Sequence, residues 1–157
     1  IQDIRGKARE LKNKDGLDAV IVDYLQLLIP RGKHQNREQE VATMSRDIKL
    51  LTNEFKIPIL LLSQLSRNAQ GKRPILSDLR ESGAIEQDAD NVIFLHIPNE
   101  KEIEGEMIAL QAGLRNQGKE LVEVIVAKQR NGPVGIMYLG YDARRLAFEN
   151  LSRREEN

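Results

Sequence analysis

The feature that most constrains this sequence is an apolar run at residues 19–22 that ends on a single carboxylate, Asp23. Short runs rich in Val and Ile are typical of strands that are buried on both faces of a parallel sheet. A charged Asp in such a place is costly unless it is paired, hydrogen-bonded or bound to a metal. At the carboxyl end of a parallel strand it lies where open α/β sheets bind ligands. The run therefore predicts an α/β fold with Asp23 at a ligand-binding edge.

A second apolar run repeats this pattern. Residues 57–62 are all apolar, Pro58 suits the first position of a strand, and the polar residues Ser63 and Gln64 follow. Two strands that each deliver polar side chains to one edge of a sheet indicate a binding site there. Two interpretations of Asp23 stay open. It caps a neighbouring backbone segment, or it holds the Mg²⁺ of a nucleotide, as the Asp at this point does in P-loop ATPases.

Three segments have the apolar periodicity of amphipathic helices. The first covers residues 1–14. The second has a stripe over four turns between residues 41 and 55, with Asn36 as a candidate N-cap, and we expect it to pack on the sheet. The third lies within residues 98–119, where Gly105 weakens the prediction.

The rest of the chain predicts further strands, at residues 91–95, 121–127, 135–140 and 146–148. A hairpin-type turn is expected at residues 128–133. Lys128 and Arg130 alternate at the strand end that precedes it, so they can point the same way. The alternative is a solvated hairpin tip. His96 ends the strand before, has no visible partner in the sequence, and is expected to be structural.

The polar loop at residues 30–36 follows the Asp23 strand and therefore overhangs the predicted edge. It carries Arg31 and Lys33, and Arg37 comes directly after it. These cations can meet phosphates, or the loop is an ordinary solvated connection. His34 has no second ligand at metal-binding spacing, so we expect it at the surface.

A second candidate phosphate contact lies in the segment 77–88. Backbone N–H groups at Ser82 and Gly83, beside Arg80, can bind a phosphate. The alternative is a plain helix–turn–helix link in which Arg80 pairs with Glu81 or a nearby Asp.

Composition limits the classes of protein. The 24 Lys and Arg residues balance 24 Asp and Glu residues, so any nucleic acid must bind through a local patch. There is no Cys, and hence no disulfide framework or Cys-based zinc site. No apolar run approaches the roughly 18 residues of a membrane span. The start lacks both Met and the apolar core of a signal peptide, so we expect a fragment of a longer protein.

Four motifs carry a family resemblance. They are VIVDYLQL at residues 20–27, LSQLSR at 62–67, SDLRESGAIEQDAD at 77–90 and AKQRNGPVG at 127–135. In order and content they resemble the carboxyl-terminal half of the RecA-like motor domain of replicative DNA helicases of the DnaB type. The resemblance covers most of residues 1–151 and leaves 152–157 as a charged tail, whereas residues 96–118 depart from the family pattern. It implies an α/β, RecA-like P-loop ATPase core with a mostly parallel sheet, flanking helices and a C-terminal β-hairpin.

The resemblance implies ATP and Mg²⁺ as ligands. Asp23 looks like the Walker B carboxylate that holds Mg²⁺, and Gln64 looks like the sensor of the γ-phosphate. Arg130 looks like an arginine finger that reaches the nucleotide of the adjacent subunit, with Lys128 as its companion. Phosphoryl transfer spreads charge over the γ-oxygens, which a fixed guanidinium stabilises.

The resemblance also implies single-stranded DNA as a partner. Arg80, Glu81 and Gly83 match the central-channel loop of the family, in which Arg80 and the Gly83 amide would bind phosphates. Glu81 cannot attract a phosphate, so we expect it to orient Arg80 or to accept a hydrogen bond from a neighbour. The implied assembly is a homo-oligomeric ring, expected to be a hexamer, with primase and a helicase loader as further partners and no membrane. It would work in the cytoplasm at a bacterial or phage replication fork.

What the sequence lacks matters equally. No Gly-x-x-x-x-Gly-Lys-[Ser/Thr] motif occurs, so there is no phosphate cradle, and the family's catalytic Glu is expected upstream of residue 1. The P-loop strand should lie between the strands at 58–62 and 91–95. We therefore expect a gap in the sheet and a segment that alone is inactive and folds poorly.

Three functions compete on these observations. The first is the motor of a ring-shaped replicative helicase, and the second is a non-catalytic relative that binds DNA or a helicase partner. The third is a RecA-like recombinase or loader ATPase, against which the stretch 80–90 argues. The motor is favoured because all four candidate nucleotide residues are retained: Asp23, Gln64, Lys128 and Arg130.

Overall fold

The computed structural model describes residues 1–29, 36–79 and 83–151, which form an α/β chain. The helices are α1 (Gln2–Lys14), α2 (Arg37–Phe55), α3 (Gly83–Asp88) and α4 (Glu106–Asn116). The strands are β1 (Val20–Val22), β2 (Ile59–Leu61), β3 (Asn91–His96), β4 (Glu120–Gln129), β5 (Gly135–Asp142) and β6 (Ala147–Asn150). Short 3₁₀ helices lie at Leu25–Leu27, Arg67–Ala69 and Leu76–Leu79. The chain divides into a first unit, residues 1–68 with 76–89, and a second unit, residues 69–75 with residue 90 onward.

In the first unit, β1 and β2 form a parallel pair, and α1 and α2 cover one face of it. The buried core on this face consists of Ala8, Val22, Ile48, Leu51, Phe55 and Ile57. The apolar stripe predicted for α2 is confirmed as the buried side of that helix. Asn36 caps α2 as predicted, because its side-chain oxygen accepts a 2.9 Å hydrogen bond from the Gln39 N–H.

The other face of this pair is apolar and exposed in the described part of the chain. Ile21 lies opposite Leu60 in the register, and the two residues are 70% and 59% exposed. The prediction that these strands are buried on both faces is therefore wrong for this chain. The apolar run does form a strand, but the described residues cover only one of its faces.

The second unit contains a four-stranded sheet with the order β3-β4-β5-β6, and all its neighbours are antiparallel. The prediction of a mostly parallel sheet is therefore wrong, since β1 and β2 are the only parallel neighbours among the strands that the structure describes. Short turns join β4 to β5 and β5 to β6, and such turns connect only antiparallel neighbours. Strands β2 and β3 belong to separate sheets.

Helix α4 packs on one face of this second sheet. Buried Ile103, Leu114 and Leu121 form its core, with Met107 and Leu110 packed against them. This is the apolar stripe predicted for residues 98–119. The helix begins directly after Gly105, whose φ of 56° is one that few other residues adopt, so the glycine marks the helix start.

An ion pair between the half-buried Arg73 and the buried Glu123 ties the segment 69–75 to strand β4. The Glu123 side chain is fully buried, and Arg73 donates to both of its carboxylate oxygens, from Nε at 2.8 Å and from Nη2 at 2.7 Å. This bidentate geometry is the strong form of the Arg–carboxylate contact. The hydrogen bond to Glu123 raises the pKa of Arg73. The pair therefore fixes the middle of β4, the strand that leads to Lys128.

Glu102 extends the pair into a network. Its Oε1 accepts from the Arg73 backbone N–H at 2.6 Å, while its Oε2 contacts His96 Nε2 at 2.9 Å and accepts from the Asn99 N–H at 2.9 Å. His96, which had no visible partner in the sequence, thus has Glu102 as its partner. The structural role expected for His96 agrees with this contact.

Removing Arg73 tests this ion pair. We expect Arg73→Met to destabilise β4 by about 1–3 kcal/mol, because Glu123 would stay buried without its hydrogen-bond donor, while Arg73 itself is 35% exposed. The double variant Arg73→Met, Glu123→Met should regain most of that loss, since two apolar side chains carry no unpaired charge. Native-state hydrogen exchange of the β4 amides measures the stability of β4 in both variants. Equal protection in the wild type and in Arg73→Met would contradict the role of the pair.

Glu102 predicts a pH dependence. Burial raises its pKa, but hydrogen bonds from the Asn99 N–H, from His96 and from the Arg73 N–H outweigh this effect, so the pKa lies below the ordinary value of 4.5. The stabilisation that the ionised Glu102 gives to the folded state is then complete above the ordinary pKa of 4.5 and is lost as the pH falls through the lowered pKa. We expect the amide proton shifts of Asn99 and Arg73 to change together below about pH 4.5 in NMR spectra. In Glu102→Gln that shared transition should disappear.

Candidate functional site

The carboxyl ends of β1 and β2 lie at the same edge of their sheet. Val22 pairs with Leu61, and the pairing continues beyond the strands. The Leu62 N–H donates to the Val22 carbonyl at 3.0 Å, and the Leu25 N–H donates to the Leu62 carbonyl at 2.8 Å. The two chain segments that leave the sheet therefore run side by side, which is the arrangement that open α/β sheets use to bind ligands.

Asp23 and Gln64 both come to this edge. Asp23 directly follows the last residue of β1, and the peptide bond between Asp23 and Tyr24 is cis. Gln64 lies three residues beyond the end of β2. Both side chains are exposed, so each is open to a ligand. The structure thus places the two nucleotide-site candidates of the first unit at the same edge of the β1–β2 pair.

Gln26 joins the two segments through its side chain. The residue lies in the 3₁₀ helix Leu25–Leu27 and is half-buried. Its Nε2 donates to Ser63 Oγ at 3.0 Å, and its Oε1 accepts from the Gln64 N–H at 3.2 Å. Sequence reasoning passed over Gln26 as a site residue. The available signal was a single amide residue between the apolar Leu25 and Leu27.

A polar cleft of about 250 Å³ opens beside Gln64. Its lining comprises Gln26, Val41, Ser63, Gln64, Leu65, Ser66, Arg67, Asp78, Leu79 and Ile85. Asp23 is not among these residues, so the cleft extends along the β2 side of the edge. The Ser66 N–H donates to the Asp78 carbonyl at 2.9 Å, which closes the wall of the cleft.

Lys128 and Arg130 lie at the far end of β4, in the second unit. Lys128 pairs with Val92 of β3 and is half-buried, while Arg130 follows the end of β4 and is exposed. The Arg130 backbone N–H donates to the Asp90 carbonyl at 2.8 Å. Its guanidinium Nη1 contacts Asp90 Oδ1, also at 2.8 Å. Arg130 is therefore held by a residue of its own chain, at a strand end that faces solvent.

Several predicted phosphate contacts fall outside the described residues. They are Arg31, Lys33, Ser82 and Arg80. His34, expected at the surface, and Glu81, expected to orient Arg80, also lie outside the described residues. Arg37 is described, and it donates to Glu40 at 2.8 Å and to the Gln26 carbonyl at 3.0 Å. Gly83 is the first residue of α3 and is exposed, and a Cβ placed there would meet nothing within 4 Å.

No helix among the described residues has the length and apolar character needed to cross a membrane. No cluster of three or more His, Cys, Asp or Glu residues in residues 1–29, 36–79 and 83–151 has the geometry of a metal site. A single carboxylate such as Asp23 remains suited to Mg²⁺, because that ion is commonly bound by one or two carboxylates together with substrate phosphates.

Comparison with known families identifies the chain. The family described as "DnaB-like helicase C terminal domain" matches residues 1–150. The chain belongs to this family. Among the relatives of this DnaB-like domain is the replicative DNA helicase DnaB of Geobacillus stearothermophilus, 44% identical over 158 residues. That alignment covers 98% of this chain and 32% of the relative. The replicative DNA helicase DnaB of Rickettsia prowazekii is 40% identical over 166 residues, which cover 100% of this chain and 34% of the relative.

Solved structures support the same assignment. The DnaB-like domain is similar to a solved structure described as an ATPase domain, with a TM-score of 0.78 and 40% identity. That match covers 96% of this chain and 51% of the other. A DnaB-like replicative helicase whose structure is described with its interactions with primase gives the same TM-score and identity, over 96% of this chain and 36% of the other. The chain thus spans about a third of the length of the curated relatives it matches.

Proposed function

We propose that this chain is the carboxyl-terminal part of the RecA-like motor domain of an ATP-dependent, hexameric replicative DNA helicase. The helicase would move along single-stranded DNA and unwind the duplex at the replication fork. The observation that carries the proposal is the shared edge of β1 and β2, where a DnaB-like chain presents Asp23 and Gln64. The exposed apolar face at Ile21 and Leu60 also supports a larger domain, because strands of this composition are commonly covered on both faces.

Asp23 is the proposed Mg²⁺ ligand. An exposed carboxylate at the end of a parallel strand suits a hard cation that keeps several waters and also binds phosphate oxygens. The ion would neutralise the charge that develops on the transferred phosphoryl group. Gln64 would donate from its carboxamide to a γ-phosphate oxygen, and the cleft beside it leaves room for that contact.

Arg130 is the proposed arginine finger, and Lys128 is its companion toward the nucleotide of the adjacent subunit. The Arg130 and Asp90 side chains are 52% and 46% exposed. An ion pair this exposed contributes about 0–1 kcal/mol. The free-energy cost of separating Arg130 from Asp90 is therefore small. Arg130 could then bind the more highly charged phosphate of a nucleotide on the neighbouring subunit.

Truncating Arg130 tests the finger. We expect Arg130→Ala in the full-length ring to lower DNA-stimulated ATPase kcat by about 10³–10⁵, the range typical of arginine fingers. Arg115→Ala is the matched control, because Arg115 is an exposed Arg of the same unit. Wild-type turnover in Arg130→Ala would remove the finger assignment.

The proposed DNA contact is the loop with Arg80, Glu81 and Gly83. Arg80 and the Gly83 N–H would bind phosphates, and Glu81 would orient Arg80. The open space at the Gly83 Cα supports this proposal, because a residue without a Cβ allows a phosphate to approach the backbone closely. Since the net charge of the chain is zero, affinity would come from several such loops in one ring.

The DNA contact predicts a change in salt dependence. For single strands, log K falls with a slope of about −0.7 per neutralised phosphate. We expect Arg80→Ala to reduce the slope by about that amount for each subunit that contacts the strand. Arg46→Ala, at an exposed position of α2, should leave the slope unchanged. Fluorescence anisotropy with labelled oligonucleotides over a salt series measures it, and an unchanged slope in Arg80→Ala would contradict the contact.

The second candidate is a non-catalytic module that binds DNA or a helicase partner. It is favoured by the absence of a Gly-x-x-x-x-Gly-Lys-[Ser/Thr] motif from these 157 residues. The retained site residues favour the motor instead. The residues that precede Ile1 in the gene decide between the two, because a Walker A motif there supports the motor. Primase and a helicase loader are the further partners proposed for the ring, which would work in the cytoplasm.

A further inference from the structure

The segment after β2 needs another hydrogen-bond partner beyond the point where the main-chain hydrogen bonds to the segment after β1 end. The last main-chain bond across the edge runs from the Leu25 N–H to the Leu62 carbonyl. Beyond that point Ser63 and Gln64 lie in irregular chain. The Gln26 carboxamide continues the ladder, since it donates to Ser63 Oγ and accepts from the Gln64 N–H. One side chain thus takes the place that a neighbouring strand would occupy.

Gln26 is itself held in place. Leu25, which precedes it, is fully buried, and the Leu27 N–H donates to the Tyr24 carbonyl at 3.1 Å. The Gln26 carbonyl accepts from Arg37 Nη2 at 3.0 Å. The carboxamide therefore projects from a short helix that is fixed on both sides. A side chain anchored in this way can set the position of the chain that it contacts.

We propose that Gln26 is a positioning residue, which holds the backbone of Gln64 so that the Gln64 side chain meets the nucleotide beside Asp23. The proposal rests on the proposed function, in which Gln64 contacts the γ-phosphate. Gln26 itself touches no substrate and acts through Gln64. Its two neutral hydrogen bonds at a half-exposed edge contribute little to stability, so their effect is on geometry. A displacement of about 1 Å in a catalytic group can cost up to about 10²-fold in rate.

The test compares three variants of the full-length ring: Gln26→Met, Gln64→Ala and the double variant. Met keeps the volume of Gln and removes both hydrogen bonds. We expect Gln26→Met to lower DNA-stimulated ATPase kcat by about 10- to 10²-fold. The double variant should be no slower than Gln64→Ala, because a residue that acts only through Gln64 has nothing left to position. Multiplied losses in the double variant, or a wild-type kcat in Gln26→Met, would overturn the proposal.

Two further variants separate position from folding. Gln26→Glu should retain most of the turnover, because its carboxylate accepts from the Gln64 N–H and from the Ser63 hydroxyl once that hydroxyl rotates. Gln117→Met, at an exposed position after α4, controls for the Gln-to-Met change. If Gln26→Met does not assemble into rings, Gln26→Glu decides, because a carboxylate that accepts both bonds but gives no turnover contradicts the positioning role.

The outcomes distinguish the positioning role of Gln26 from the proposed function on which it rests. A wild-type kcat in Gln64→Ala would remove the sensor role of Gln64, and the role of Gln26 with it. An impaired Gln64→Ala together with a fully active Gln26→Met would leave the proposed function standing and overturn the role of Gln26 alone.

Discussion

The parallel pairing of β1 with β2 is the constraint on which the proposed site depends. Because Val22 lies opposite Leu61, the strands end at one edge and deliver Asp23 and Gln64 to it. A slip of one residue would turn every side chain of the moved strand to the other face. Val22 is buried in the same core as Leu51 of α2, so such a slip would expose it to water. The hydrophobic core thus fixes the register, and the register places the polar ends.

The second unit uses charge in two different ways. The Glu123 carboxylate is buried and held by both nitrogens that Arg73 presents, which makes this pair costly to break. Arg130 contacts Asp90 at the surface, where partners exchange at little cost. The Arg73–Glu123 pair therefore fixes the middle of β4, while Arg130, just beyond the end of β4, can exchange its ion-pair partner. This combination would suit the finger role proposed for Arg130.

Features that depend on neighbouring residues in the chain could be predicted from the sequence. Features that depend on contacts between distant residues could not. The α2 stripe and its Asn36 cap follow from residue spacing and side-chain chemistry, and both were found. Strand direction depends on connections and partners, so the antiparallel second sheet was predicted wrongly as part of a mostly parallel one. Burial on both faces was inferred from composition, yet Ile21 is exposed because nothing in the described chain covers it. Gln26 was missed and the partner of His96 was not visible, since both depend on contacts between segments that the sequence alone does not bring together.

The most direct test of the account mixes two inactive subunits in one ring. Asp23→Ala subunits lack the proposed Mg²⁺ ligand, and Arg130→Ala subunits lack the proposed finger. If each site combines Asp23 of one subunit with Arg130 of the next, co-assembled rings should regain part of the DNA-stimulated ATPase that neither variant has alone. Mixed rings that stay as inactive as the two separate variants would contradict a site shared between subunits.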